Sequence, residues 1–113
     1  MRQLLFILFI SILAFTLSSC SKNESNDKNK PFIVLNGNSF INWPKGTDFV
    51  DPGAIVYDIT ETNDTIDISN RLQTSGEPNV DLVGLYEIKY NADDEAGNSA
   101  DEKQRSVRVL ITK

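Results

Sequence analysis

The sequence has 113 residues, 40% of them hydrophobic, and a formal net charge of −5 with one cysteine and no histidine. The missing histidine excludes Ser-His-Asp and Cys-His catalysis and imidazole metal sites, and the single cysteine excludes an intrachain disulfide and a cysteine-rich zinc site. Because the chain is acidic we expect no binding to nucleic acid, and its length fits one small domain.

The chain begins with a hydrophobic segment that predicts a signal peptide. Arg2 gives it a positive start, and residues 4–17 are apolar apart from Ser11 and Thr16. These residues would make only about 21 Å of helix, which is shorter than the ~30 Å hydrocarbon core of a bilayer and typical of a secretory signal. We therefore expect removal of residues 1–19, which changes the formal net charge from −5 to −6.

The end of this segment, Leu17-Ser18-Ser19-Cys20, resembles the lipobox of bacterial lipoproteins. The resemblance implies cleavage before Cys20 and acylation of its thiol, with acyl chains that each add ~0.8 kcal/mol of membrane affinity per buried CH₂. Ser21, rather than an aspartate, follows the cysteine, as in lipoproteins sent to a Gram-negative outer membrane. The expected location is therefore the outer membrane, with the domain at the cell surface. A plain secretory signal or an N-terminal transmembrane anchor is the alternative.

Residues 20–30 are expected to form the lipidated cysteine and a tether. Residues 21–30, SKNESNDKNK, contain no apolar side chain, so they predict a disordered spacer whose ends lie ~17 Å apart on average. The polar and partly acidic run from Lys22 to Asp27 resembles the export tags of surface-displayed lipoproteins. An ordinary solvated linker has the same composition.

Residues 31–113 predict an all-β domain. Apolar runs alternate with turn signals rich in Asn, Gly and Pro, and no window carries a sustained helical period. The predicted strands are residues 32–35, 54–57, 65–68, 85–92 and 105–111. The last two alternate apolar and polar side chains, as the strands of an antiparallel sandwich do when one face packs on the core and the other meets water.

Four motifs follow one another along this domain. They are Asp51-Pro52-Gly53-Ala54, Gly84-Leu85-Tyr86-Glu87-Ile88-Lys89-Tyr90, Asp94-Glu95-Ala96-Gly97-Asn98 and Arg105-Ser106-Val107-Arg108-Val109. In that order they resemble the bacterial immunoglobulin-like domain of pesticidal crystal proteins and surface lipoproteins, with hyalin repeats and cadherin-like domains as more distant relatives. The resemblance implies an immunoglobulin-like antiparallel β-sandwich of about seven short strands.

The motif residues are expected to build the fold. Pro52 presets φ for a turn, and Gly53 permits a positive φ before the next strand. Gly97 supplies a tight connection between the last two strands. Tyr86 is expected to act as a tyrosine corner, with a buried ring and a hydroxyl bonded to the backbone. Residues 69–82 depart most from the pattern, because they are more polar than core strands should be.

Carboxylates are the only plentiful reactive groups, and they concentrate in two predicted loops. In immunoglobulin strand order these loops share one end of the sandwich with the start of the domain. Several oxygen ligands there would suit calcium, and the candidate ligands are Asp58, Asp64, Asp93 and Asp94. The EF-hand pattern is absent, so a solvated acidic surface without any cofactor is the leading interpretation. A glycosidase pair would need a groove that the sequence does not indicate.

Trp43 and Asn42 are candidates for ligand contact. Trp43 is the only tryptophan, and with Asn42 beside it the indole could stack on a sugar ring. A lone tryptophan next to Pro44 more often seals the edge of a core. Asp64-Thr65-Ile66 resembles a bacterial O-glycosylation acceptor at Thr65, although it also reads as the start of a strand.

These features predict a lipid-anchored bacterial outer-membrane protein with one immunoglobulin-like binding, adhesion or structural module, and no enzyme. Its partners would be the membrane, through lipid on Cys20, and a protein or glycan at the cell surface, because the fold alone does not specify a ligand. A small regulatory or inhibitor lipoprotein that uses its acidic loops, or a passive subunit of a larger surface complex, is the alternative.

Overall fold

The computed structural model describes residues 27–112, so the signal peptide, Cys20 and the first part of the tether lie outside the described residues. Within these residues, seven strands form two sheets, with one 3-10 turn at Ser69–Arg71. The strands are β1 Phe32–Leu35, β2 Phe40–Pro44, β3 Ala54–Ile59, β4 Thr65–Asp67, β5 Gln73–Ser75, β6 Gly84–Asn91 and β7 Lys103–Leu110. Within residues 27–112 no helix has the length and apolar character needed to cross a bilayer.

One sheet has three strands in the order β1-β3-β4, and the other has four in the order β2-β7-β6-β5. Every pairing is antiparallel except that of β2 with β7, which is parallel. Residues 36–39 connect β1 in one sheet to β2 in the other. At the end of this connection the Ser106 amide of β7 donates a hydrogen bond to the Ser39 carbonyl at 2.8 Å. As a result, β2 joins β7 in the same direction.

The core lies between the two sheets, and strand alternation decides which side chains enter it. The buried apolar residues are Ile33, Ala54, Val56, Ile88, Tyr90, Ala92, Ala100, Val107 and Val109. Every second side chain is buried from Ile88 to Tyr90 in β6 and from Arg105 to Val109 in β7, which is the period expected of strands with one wet face. Trp43 and Phe49 pack against the edge of this core.

The predicted immunoglobulin-like β-sandwich of about seven strands is confirmed. The five predicted strands correspond to β1, β3, β4, β6 and β7, and the structure adds β2 and β5. Residues 69–82, which are too polar for core strands, contain the 3-10 turn and the short β5, whose three residues are all exposed.

A buried guanidinium connects three of the sequence motifs. The Arg105 side chain is fully buried, its Nε donates to the Tyr90 hydroxyl oxygen at 3.0 Å, and its Nη2 donates to the carbonyls of Asn36 and Gly53 at 2.8 Å each. The Asp51 carboxylate accepts the Tyr90 hydroxyl proton at 2.6 Å and lies 3.4 Å from the Arg105 Nε. This network fastens the loops that follow β1 and precede β3 to the four-stranded sheet.

The Tyr86 hydroxyl ties the turn before β6 to that strand. It donates a hydrogen bond to the Leu82 carbonyl at 2.7 Å, and its half-buried ring covers Gly84. A Cβ at Gly84 would lie 3.4 Å from the tyrosine oxygen, so the glycine leaves room for this contact.

Residues 27–30, which we call the N-terminal strap, are bound to the sandwich. The Asn29 side-chain amide donates to the carbonyls of Ile59 and Thr60 at 3.2 and 3.4 Å. Lys30 forms an ion pair with Asp101, with Nζ and Oδ1 2.9 Å apart. The last four residues of the predicted spacer therefore contact the domain, through asparagine amides and an ion pair that the absence of apolar side chains does not reveal.

Candidate functional site

Three carboxylates meet at the end of the sandwich where the strap binds. Asp27, Asp58 and Asp94 each place one carboxylate oxygen within 4.8 Å of the others. Asp58 and Asp94 are only 7% and 3% exposed, and Asp27 is half-buried. Hard cations prefer several carboxylate and carbonyl oxygens, so these three residues could hold a calcium ion.

Asp94 is positioned by the turn that follows it. Its Oδ1 accepts the Asn98 backbone amide at 2.7 Å, and its Oδ2 accepts the Asn98 side-chain amide at 2.9 Å. Gly97 closes the turn with φ of 94°, a value that favours glycine. The Asn98 side-chain nitrogen also donates to the carbonyls of Asp27 and Asn29 at 3.0 and 3.1 Å, so one asparagine joins the turn to the strap.

Asp58 reaches the cluster from the inner face of β3. Its Oδ1 accepts the Ile59 amide at 2.9 Å. Burial raises the pKa of the Asp58 carboxyl, and the negative charges of Asp94 and Asp27 raise it further against the lowering effect of that hydrogen bond. Keeping the Asp58 carboxylate ionised at this end of the sandwich therefore costs free energy, and a bound proton or cation would reduce that cost.

The predicted calcium ligands are only partly brought together. Asp93 is exposed and accepts the Ser99 hydroxyl at 2.6 Å, whereas Asp64 accepts the Thr62 hydroxyl at 2.8 Å within its own loop. Neither belongs to the cluster, so the structure brings together only Asp58 and Asp94 of the four candidate ligands. Asp93 is adjacent to Asp94 in the chain, but its side chain is exposed whereas that of Asp94 is buried. Asp64 lies after the turn that follows β3. Sequence reasoning missed Asp27, because it assigned that residue to the tether.

An open cleft of about 390 Å³ adjoins the cluster. Its lining includes Asp27, Asp58, Thr60, Glu61, Ile66 and Glu95. The exposed carboxylates of Glu61 and Glu95 extend the acidic surface outward from the buried pair. Thr65, the predicted glycosylation acceptor, is exposed at the start of the edge strand β4.

The structure separates Trp43 from Asn42. They are consecutive in β2 and so point to opposite faces of the sheet. The half-buried indole of Trp43 packs edge-on against Phe49, with ring centroids 5.1 Å apart, and its N–H donates to the Thr47 carbonyl at 2.9 Å. Trp43 therefore seals the core edge, and the two residues do not form a joint sugar platform.

Asn42 lies on an exposed surface of the four-stranded sheet that we call the Arg108 face. We define this face as Phe40, Asn42, Leu85, Arg108 and Leu110. Register places Asn42 and Leu85 on either side of Arg108, and the Arg108 guanidinium lies 5.2 Å from the Phe40 ring centroid. Phe40 and Leu85 are 44% and 60% exposed. Within residues 27–112 the Arg108 side chain has no ion-pair partner.

The Arg108 face and the strap lie at opposite ends of β7. Asp101, which binds Lys30 of the strap, precedes the first residue of β7, whereas Arg108 is near its last. A molecule bound around Arg108 would therefore lie near the end of the sandwich that is remote from the strap.

A model of the family described as "Bacterial surface protein, Ig-like domain" matches residues 33–109, which contain nearly all of the seven strands. Among solved structures, the crystal structure of the lipoprotein BT2262 from Bacteroides thetaiotaomicron is similar, with 28% sequence identity and a TM-score of 0.57. The match covers 74% of this chain and 39% of that one, so this chain spans less than half of that lipoprotein. No curated protein matches the sequence.

Proposed function

Because the chain belongs to the family of bacterial surface protein Ig-like domains, we propose that it is a lipid-anchored module that contacts another protein at the cell surface. The family and the similar lipoprotein support a surface lipoprotein. Acylation of Cys20, placement in the outer membrane and a binding role without catalysis belong to the proposal. The likeness to pesticidal crystal proteins stays a resemblance of motifs.

The observation that carries the binding role is the Arg108 face. Soluble domains seldom leave adjoining apolar side chains exposed without a use, and Phe40 and Leu85 are exposed on either side of a guanidinium. Aromatic residues and arginine dominate the energetic centres of protein interfaces. Arg108 stacks on an aromatic ring and has no acidic partner in the described chain, so it is free to bind a carboxylate bidentately.

A protein partner fits these residues better than a glycan does. The glycan hypothesis depends on Trp43 acting together with Asn42, and Trp43 is committed to the core edge with its N–H already bonded to Thr47. The Arg108 face is instead the outer surface of a sheet with exposed apolar area, which suits the broad contact of a protein interface.

Site-specific photocrosslinking in intact cells would test the contact. A photoreactive side chain in place of Leu85 should give one discrete adduct, and the additional change Arg108→Glu should abolish it. The matched control is Val50, which is 78% exposed and lies outside the Arg108 face. Equal crosslinking from positions 85 and 50, or an adduct that survives Arg108→Glu, would show that this face is not a specific interface.

The anchor needs its own test. Mass spectrometry of protein extracted from membranes should find a chain that begins at an acylated Cys20. Cys20→Ala should leave the precursor unprocessed and remove the mature protein from detergent-extracted membranes. Unchanged processing and location of the alanine variant would overturn the anchor.

A further inference from the structure

A second exposed apolar surface lies on the outside of the three-stranded sheet. We call it the β1–β3 face and define it as Phe32, Val34, Ile55 and Tyr57. Alternation turns these side chains outward, because their strand neighbours Ile33 and Val56 enter the core.

The four side chains of the β1–β3 face form one contiguous patch. Phe32 is paired with Tyr57, and Val34 with Ile55. Phe32 and Val34 are 41% and 44% exposed, and the rings of Phe32 and Tyr57 lie 5.5 Å apart between centroids. None of the four carries a charge, although the chain as a whole is acidic.

The strap restricts how far this patch can be from a lipid attached to Cys20. Only six residues separate Cys20 from Asp27, and the Asp27 carbonyl is held on the sandwich by the Asn98 amide. Covalent geometry limits the span from residue 20 to residue 27 to about 25 Å. Phe32 follows five residues after Asp27, so the patch begins close to the point where the chain reaches the sandwich.

We propose that the β1–β3 face lies against the lipid bilayer. The inference rests on the proposed anchor at Cys20 and adds an orientation to it. Aromatic side chains are favoured at the membrane interface, where Phe32 would meet the acyl boundary and the Tyr57 hydroxyl the headgroups. Since the outer faces of the two sheets point in opposite directions, this orientation turns the Arg108 face away from the membrane and toward a partner.

The charges near the strap do not prevent this orientation. Asp58 and Asp94 are buried at the end of the sandwich where the strap binds, not on the β1–β3 face. Lys30 and Asp101 neutralise one another beside β1. Strand β4 places one acidic residue beside the patch, Asp67, which is paired with Tyr57 in the sheet register. In this orientation Asp67 beside the patch and the exposed Glu61 and Glu95 at the strap end would meet the headgroup layer, while the four uncharged side chains face the bilayer.

Fluorescence quenching on vesicles would test the orientation. The mature chain, residues 20–113, is coupled through its only thiol, Cys20, to a maleimide lipid in phosphatidylcholine vesicles that contain brominated lipid. In a Trp43→Phe background, Phe32→Trp should lose fluorescence to the brominated lipid. Phe40→Trp is the matched control, because Phe40 is 44% exposed on the opposite sheet, and it should keep its fluorescence.

Tyr57→Trp in the same background gives an independent reporter if Phe32→Trp perturbs the fold, and melting curves would establish that each variant is folded. Equal quenching at positions 32 and 40, or none at positions 32 and 57, would overturn the proposal. Absence of quenching together with concentration-dependent dimers in sedimentation would assign the patch to a second copy of the chain. Chemical coupling makes this result independent of acylation in cells, so failure of the anchor and failure of the orientation are distinguishable.

Discussion

The Nε of Arg105 lies 3.4 Å from the carboxylate of Asp51, and the arginine side chain is completely buried. Removing one member of a buried charged network leaves the other groups without partners, which typically costs about 3–5 kcal/mol. We therefore predict that Arg105→Met lowers the free energy of unfolding by about that amount. The Tyr90 hydroxyl and the loop carbonyls of Asn36, Asn38 and Gly53 would all lose their donor. Urea denaturation of the mature chain measures the loss.

Arg108→Met is the matched control for this prediction. Arg108 is exposed on the other face of the same strand and has no ion pair within residues 27–112, so its replacement should change stability by less than about 0.5 kcal/mol. Similar losses for the two variants would mean that the buried network does not stabilise the fold.

Gly76 combines a positive φ with a close backbone approach. Its φ is +89°, and a Cβ there would lie 2.5 Å from the Glu87 carbonyl oxygen. Gly76→Ala should cost about 1–3 kcal/mol for the left-handed backbone and about 1–3 kcal/mol more for the steric conflict with β6. Gly46→Ala should carry the first cost alone, because Gly46 has φ of +86° and open space around it. Thermal melts of both variants would separate the two costs, and equal losses would contradict the predicted clash.

The raised pKa of Asp58 gives stability a defined pH dependence. Between the ordinary carboxyl pKa of 3.8 and the raised value, the folded protein binds more protons than the unfolded chain. The free energy of unfolding therefore falls as pH rises through that window, and the penalty is complete above it. Asp58→Asn should stabilise the protein at pH 7 and flatten this part of the curve in urea titrations at several pH values.

Asp67 provides a control of opposite sign. Hydrogen bonds from the Ser69 hydroxyl and backbone amide lower the pKa of its carboxyl. Such a group adds stability above its unfolded pKa and loses it as pH falls through the folded value. Asp67→Asn should therefore destabilise the protein at pH 7. Stabilisation by both asparagine variants would indicate a general effect of reduced negative charge.

Calcium binding stays the alternative to an acidic surface without a cofactor, with its candidate ligands changed to Asp27, Asp58 and Asp94. This alternative predicts a response that melting curves can measure. Millimolar calcium should raise the melting temperature of the wild type, because an ion that binds only the folded state stabilises it, and a chelator should reverse the rise. Asp58→Asn should remove the response, whereas Asp64→Asn, outside the cluster, should keep it. Melting temperatures that do not change with calcium would exclude the site.

Strands in which apolar and polar side chains alternate regularly can be predicted from the sequence. Strands without that regular alternation are missed. Val107 and Val109 in β7 alternate with polar neighbours, and this period locates the strand. β2 escapes prediction because Phe40 faces outward while Pro44 ends the strand, so neither residue follows the usual pattern of a core strand. The parallel pairing of β2 with β7 depends on where the chain crosses between sheets, which no local pattern records.

The site is only half predictable for a related reason. Asp58 and Asp94 are found because acidic loops at one end follow from strand order. Asp27 is not, since its place depends on contacts between the strap and Asn98, about seventy residues away in sequence. Arg105 is recognised as a motif residue, but its complete burial is visible only when the loop after β1 and the loop before β3 place their carbonyls around it.

The parallel pairing of β2 with β7 has a mechanical consequence. A partner that grips Arg108 would pull on β7, while the lipid would hold the chain at Cys20, ahead of β1 and β2. In the proposed orientation the two forces act across the sheets, and the load from Cys20 passes through the strap and β1 before it reaches β2. The strap contacts and the β1–β3 ladder would therefore be loaded before the β2–β7 ladder, which joins this N-terminal part of the chain to the strand that carries Arg108.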